Sequence, residues 1–222
     1  MKDNIPTAST LSDDGRIYID YDWYGGGIPS NVRFGSDVYL DTAYGFALYC
    51  SEHEPGLSLG NATGAYDRTS FIVGAHGRIE VGDYTVLNGT YLVSNERISI
   101  GSHCLIAWGS VITDSWAGLA HAPVEARRRI LRDAAADPLR RLQPLSAPRP
   151  VTLEDNTWVG FDSVILPGVT LGRGSIVGCK TVVKEDVPPY AVVAGDPARI
   201  IRYLEPDDTP EARAQALRQF AR

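Results

Sequence analysis

From Val151 onward the aliphatic positions of the chain recur every six residues: Leu153, Val159, Ile165, Leu171, Val177 and Val183. Two residues ahead of each stands a small or β-branched side chain: Val151, Thr157, Ser163, Val169, Ser175 and Thr181. Gly160, Gly172 and Gly178 directly follow the aliphatic position. An α-helix cannot keep this pattern on one face, because each six-residue step drifts about 120° around its axis. A three-sided coil of short strands can, with three hexads closing one turn of about 18 residues. Glycine after the aliphatic residue suits a corner, where positive φ or close backbone approach is needed. Upstream, Val81, Leu87 and Val93 lead, after one extra residue, to Ile100, Ile106 and Ile112, and RIEVGDYTV aligns with RISIGSHCL. Leu59-Gly60 and Val73-Gly74 read as degenerate coils, and the pattern fades before residue 31.

The pattern divides the chain. Residues 1–30 hold Tyr18, Tyr21, Trp23 and Tyr24 beside Gly25-Gly26-Gly27, and are expected to cap the open end of the first coil. Residues 31–204 form an all-β solenoid, interrupted at 121–150 by an inserted loop and helix. That helix is expected after Pro123, with Ala126, Ile130 and Ala134 on one face. Seven arginines stand in the insertion against Glu125, Asp133 and Asp137, which makes it either a solvated face or a contact for an anionic ligand or neighbouring subunit. Residues 205–222 form a short C-terminal helix, opened by Asp208, Thr209 and Pro210.

Composition narrows the function classes. The 222 residues, 44% hydrophobic and 22% charged, suit one globular domain with appendages. A net charge of −6 has the wrong sign for a nucleic-acid partner. Cys50, Cys104 and Cys179 are spread without a CxxC pair, which disfavours a zinc finger or a disulfide framework and fits a reducing compartment. MKDNIPTASTLSDDGR lacks an apolar leader core, and no long apolar run follows, so a cytoplasmic protein with no membrane partner is expected.

The stretch DNTWVGFDSVILPGVTLGRGSIVGCKTVVKEDVPPYAVVAGDPARIIRYL resembles the C-terminal half of the hexapeptide-repeat acyltransferases, especially the galactoside and maltose O-acetyltransferase branch. The likeness extends over residues 79–204 and is densest from Val151 to Leu204. It implies a left-handed parallel β-helix, an exception to the usual crossover handedness. It also implies a homotrimer, with acetyl-CoA as co-substrate in the groove between adjacent prisms and a small-molecule acceptor beside it.

Acyl transfer from a thioester needs a base for the acceptor's proton and a donor for the oxyanion. The resemblance puts the base at His121 of His121-Ala122-Pro123, although the stretch from Asp114 to Ala120 is longer than the family pattern. GDYTVLNGT is similar to the family's acceptor segment, which assigns Asn88 to the acceptor. Asp114 would orient the histidine or bind the acceptor, the alternative being a corner residue bonding backbone, and Trp116 would wall the acceptor site. For the coenzyme the matching positions are Trp158, Gly160, Gly178, Cys179 and, after Gly195-Asp196-Pro197-Ala198, Arg199. Lys184 stands one residue earlier than the family lysine, and Lys184 and Arg202 are expected on the same rim as Arg199. The Cys179 thiol itself reads as small buried filler rather than a nucleophile. His103 in GSHC reads as an exposed turn residue, and His53 and His76 as structural.

Two other classes compete. A non-catalytic hexapeptide scaffold would share the fold without the coenzyme signature. A zinc lyase like the γ-class carbonic anhydrases would need three converging imidazoles. Against it, His53, His76, His103 and His121 lack the close pair that such a site uses, so no metal is expected.

Overall fold

In the computed structural model, which describes residues 6, 9–115, 123–136 and 147–220, the chain passes in rotation through three sheets, parallel but for the last strand of the largest. A six-stranded sheet runs from Val32–Phe34 to Thr170–Leu171, an eight-stranded sheet from Tyr39–Leu40 to Arg199–Tyr203, and a five-stranded sheet from Ser70–Val73 to Val182–Val183. Each strand pairs with the strand one turn earlier, so Ile98 lies opposite Ile79 on one side and Val151 on the other. The two six-residue columns read from the sequence are both interior, every member from Val151 to Val183 being buried. Several hydroxyls of the wall bond turn to turn, Ser110 Oγ donating to the Gly160 carbonyl (3.0 Å) and Ser163 Oγ to that of Gly178 (2.9 Å), whereas Ser175 Oγ is buried without a partner among the described residues. Such pairing is what permits polar residues inside so narrow a core.

One expectation changes and another is narrowed to one of its alternatives. Upstream, Val93 faces outward and Leu92 is the buried residue, aligned with Phe71 and Ile112. The corner between Leu87 and Leu92 is one residue shorter than that between Ile106 and Ile112, which shifts the register by one and flips the alternation. The corner glycines serve close approach, not positive φ. A Cβ on Gly101 would lie 2.6 Å from the Asp155 amide nitrogen, and one on Gly82 2.7 Å from the Ser102 nitrogen. The left-handed conformation falls two residues later, at Tyr84, His103 and Asn156. At the same corner a side chain from each turn caps the turn before it, as Asp83 Oδ1 accepts from Asn61 N (2.7 Å) and Asp155 Oδ1 from Ser102 N (2.8 Å).

At the N-terminal end, Ser9–Leu11 and Ile17–Ile19 form an antiparallel pair, and Ile17, Ile19 and Ile28 are buried against the first turns. Asp22 accepts from Thr42 Oγ1 (2.8 Å) and the Ala43 amide (2.5 Å), tying this cap to a 3₁₀ turn at Ala43–Phe46. The excursion leaves the wall after Asp114 and returns at Arg149, whose amide donates to the Asp114 carbonyl (2.7 Å). Helix α1 (Val124–Ala136) buries no residue. Near the C-terminus, Arg199–Tyr203 folds back antiparallel on Ala191–Ala194, and helix α2 spans Pro210–Phe220. Asp208, just ahead of α2, accepts from Arg173 Nε (2.7 Å) and Tyr190 Oη (2.9 Å). No described helix is long and apolar enough to cross a membrane.

Candidate active site along one edge of the wall

The corner between the eight- and five-stranded sheets carries a ridge of outward side chains. Trp108, Phe161 and Cys179 follow one another there, one per turn, because the Asp162 amide donates to the Trp108 carbonyl (2.8 Å) and Lys180 to that of Phe161 (2.9 Å). Cys179 is exposed, not buried filler. The inward columns pass through Val177 and Thr181, so the residue between them sits on the turn. Gly160 makes room for it, since a Cβ there would come 2.7 Å from the Cys179 nitrogen. Gly178 is looser, its nearest neighbour being Ala194 Cβ at 3.2 Å.

Trp158 is half exposed on the outer face of the eight-stranded sheet, in an apolar column with Val86, Leu105, Ile176 and Val192. Lys184 and Arg199 line one cleft of about 280 Å³ together with Val193, whose carbonyl accepts from the Gly178 amide (2.8 Å). Neither cation forms an ion pair among the described residues, whereas Asp186 beside them is engaged by the Thr170 amide (2.7 Å). Arg202 lies elsewhere, opposite Val192 at the head of the Trp158 column and outside the lining of that cleft.

At the other end of the ridge, Asn88 is half-buried and its Oδ1 is enclosed without a hydrogen-bond partner. Asp114 is wholly buried. Its carboxylate accepts from Ser94 Oγ (2.8 Å) and the amides of Asn95 (2.8 Å) and Glu96 (2.9 Å). It therefore fixes the neighbouring turn and presents no open oxygen to an acceptor. His121 and Trp116 lie outside the described residues. His103 is an exposed left-handed turn residue stacked on Tyr84, and the His53 ring lies 3.0 Å from the His76 carbonyl. Among the described residues no three His, Cys, Asp or Glu side chains are grouped to hold a metal ion.

A second and larger cleft, about 400 Å³, opens beside Asn88 and was not marked by the repeat. Tyr44, Asp67, Arg68, Gly89 and Tyr91 line it. Trp108 of the ridge donates from Nε1 to Asp67 Oδ2 (2.6 Å), so ridge and cleft are continuous. The sequence signal for it was the pair of large aromatics, Trp108 and Phe161, at one corner of successive turns.

Residues 150–185 match the profile described as bacterial transferase hexapeptide, six repeats. A protein of Schizosaccharomyces pombe named as a proposed acetyltransferase is 45% identical over 56 residues, 25% of this chain and 27% of that protein. A Saccharomyces cerevisiae protein with the same description is 41% identical over 70 residues, 32% of this chain and 36% of its own length. The chain thus spans about a quarter to a third of the curated relatives it matches. Among solved structures, AntD, an N-acyltransferase from Bacillus cereus in complex with dTDP and 3-hydroxybutyryl-CoA, superposes with a TM-score of 0.56. That overlap covers 88% of this chain and 91% of AntD at 18% identity, and is a likeness of fold. Repeat, parallel sheets and profile agree that residues 150–185 carry the hexapeptide repeat of the bacterial transferases that the profile describes.

Proposed function

We propose that the protein is an acyl-CoA-dependent O-acyltransferase. Acetyl-CoA is its donor, and a hydroxyl of a sugar, sugar-containing or secondary-metabolite molecule is its acceptor, as in the galactoside and maltose branch. The observation that carries this reading is the convergence of Lys184 and Arg199 on one cleft beside the Gly178–Cys179 corner. Glu185 and Asp186 line the same cleft, but Asp186 accepts from the Thr170 amide (2.7 Å) and neither cation is ion-paired among the described residues, which leaves both cations open to a coenzyme's phosphates. The exposed edge past Gly160 would take the pantetheine arm against backbone. In this reading the neutral imidazole of His121 accepts the acceptor's proton as its oxygen attacks the thioester carbonyl. The new C–O bond forms, the C–S bond breaks, and the departing thiolate takes the proton back from the imidazolium.

The same reading carries a left-handed coil, a cytoplasmic protein and a homotrimer. The trimer is supported by the outward apolar column through Leu105 and Trp158, an exposed stripe that a second copy would cover. A single-chain mass by sedimentation at micromolar concentration would overturn it.

The reading is tested with two donors. Arg199→Ala is expected to raise the KM for acetyl-CoA by roughly tenfold, about 1.4 kcal/mol, while leaving that for acetyl-pantetheine unchanged. Equal weakening of both would remove phosphate recognition as the explanation. His121→Ala is expected to lower turnover by about two to four orders of magnitude with coenzyme affinity intact. Retention of more than roughly a tenth of the activity would remove the histidine from the base role.

A further inference from the structure

The ridge of Trp108, Phe161 and Cys179 has a direction and a length. The turn Gly195–Ala198 stacks on that of Cys179, since the Val182 amide donates to the Gly195 carbonyl (3.1 Å) and the Gly178 amide to that of Val193 (2.8 Å). Neighbouring strands stand about 4.8 Å apart, so three steps, from the turn ahead of Arg199 through Cys179 and Phe161 to Trp108, cover about 14 Å. About twelve bonds separate the phosphate oxygen of a pantetheine arm from its sulfur, as many as in four residues of extended chain, which also reach about 14 Å. An arm whose phosphates are held at Lys184 and Arg199 therefore brings its thioester to the level of Trp108. The backbone amides of Cys179, Phe161 and Trp108 donate to no acceptor among the described residues, which leaves one donor at each step for the arm's carbonyls.

Beyond that level the edge is occupied by the indole itself. Trp108 is 56% exposed, yet its ring is held. It leans back over earlier turns: a Cβ on Gly89 would lie 3.1 Å from Trp108 Cδ1, and Nε1 donates to Asp67 Oδ2 (2.6 Å). Gly89 stands one turn before Trp108 and Asp67 two, because the Gly109 amide donates to the Gly89 carbonyl (3.0 Å) and the Gly89 amide to that of Tyr66 (2.9 Å). The missing side chain at Gly89 gives the ring its room, and the hydrogen bond to Asp67 pins its far end. The line along which an arm would continue is thus crossed by a fixed aromatic ring. Past it opens the 400 Å³ cleft, whose lining includes the apolar Leu48, Ile72 and Tyr91, groups that suit an alkyl chain.

We propose that Trp108 sets the length of the acyl group. Its indole is a stop that admits acetyl and keeps longer chains out of the cleft behind it. The assignment rests on the acyl-CoA reading for the identity of the arm. It is separable from a packing role: lost packing weakens every donor alike, whereas a lost stop changes the preference among donors.

The test is calorimetric binding of CoA, acetyl-CoA and hexanoyl-CoA, which needs no acceptor. It compares wild type with Trp108→Ala and Asp67→Ala, circular dichroism confirming that each protein is folded. Wild type is expected to bind hexanoyl-CoA at least roughly tenfold more weakly than acetyl-CoA. In Trp108→Ala the order is expected to reverse, with hexanoyl-CoA favoured by roughly tenfold or more, since each methylene newly buried in the cleft contributes about fourfold. The affinity for CoA itself, which carries no acyl group, is expected to stay within about threefold. Asp67→Ala frees the ring without removing it and is expected to fall between the two. If Trp108→Ala does not fold, Asp67→Ala decides alone, and an acyl preference equal to wild type then overturns the stop. The proposal is likewise overturned if wild type takes hexanoyl-CoA as tightly as acetyl-CoA, or if Trp108→Ala keeps the wild-type preference. In each of those cases CoA still binds, and the transferase reading stands. Failure of all three ligands to bind wild type removes that reading, and the stop with it.

Discussion

Gly160 and Gly178 occupy equivalent places in the repeat, yet they do different work. A methyl group on Gly160 would press into the backbone of Cys179 at 2.7–3.0 Å, and neither side can retreat, because the Gly160 amide is bonded to the Val177 carbonyl (2.8 Å). At Gly178 the nearest atoms, Ala194 Cβ at 3.2 Å and the Val193 carbonyl oxygen at 3.3 Å, stand about half an ångström further off, so less has to shift. Overpacking of the first kind costs about 1–3 kcal/mol. Gly160→Ala is therefore expected to lower Tm by several degrees and Gly178→Ala by much less, as read by thermal melts. Equal shifts would show that the turns adjust as a body. The repeat in the sequence marks both positions without distinguishing them, since the difference arises from the residue that the next turn stacks there. The 400 Å³ cleft was illegible for a related reason. Tyr44, Asp67 and Gly89 come from three turns of unequal length, and nothing periodic ties them together.

Among the elements, the anchorage of the segment ahead of α2 turns on one carboxylate. Burial would push the Asp208 carboxyl up, but hydrogen bonds from Tyr190 and Arg173 outweigh it and hold it below its ordinary 3.8. A carboxyl depressed in the folded state adds stability above its unfolded pKa and loses it as the pH falls through the folded value. Asp208→Asn is thus expected to be less stable than wild type by about 1 kcal/mol at pH 7, the range for a charged hydrogen bond discounted for the partly exposed Arg173. The gap should close below pH 3.8, and melts at pH 7 and pH 3 measure it. A gap unchanged between the two would mean that the charge on Asp208 does no work. At this scale the sequence was most readable where the period held. Downstream of Val151 both buried columns follow from the spacing, whereas the five-residue step from Leu87 to Leu92 broke the count and moved Val93 outside. The helix after Pro123 was legible from its own periodicity, independent of the coil.

Across the whole molecule, each turn touches chiefly the turns before and after it, so stability is distributed as in a one-dimensional stack. Strands Arg78–Val81 and Arg97–Ile100 have a partner on both sides, whereas Ser9–Leu11 has one partner and Arg199–Tyr203 is exposed along its length. Amide hydrogen exchange should be slowest in the first pair and fastest in the second. Uniform protection would instead indicate that the wall opens only as a unit. The excursion between Asp114 and Arg149 has a different consequence. Among the described residues its two ends meet in a hydrogen bond of 2.7 Å, and the turns on either side stack as if nothing had been inserted, Ile100 opposite Leu153. Closing a loop whose ends are already joined costs only about 0.6 kcal/mol more for each doubling of its length. The wall is thus nearly indifferent to how much chain hangs from that point. The insertion can be lengthened, shortened or exchanged while the frame keeps its register, so its sequence is free to diverge at a pace of its own.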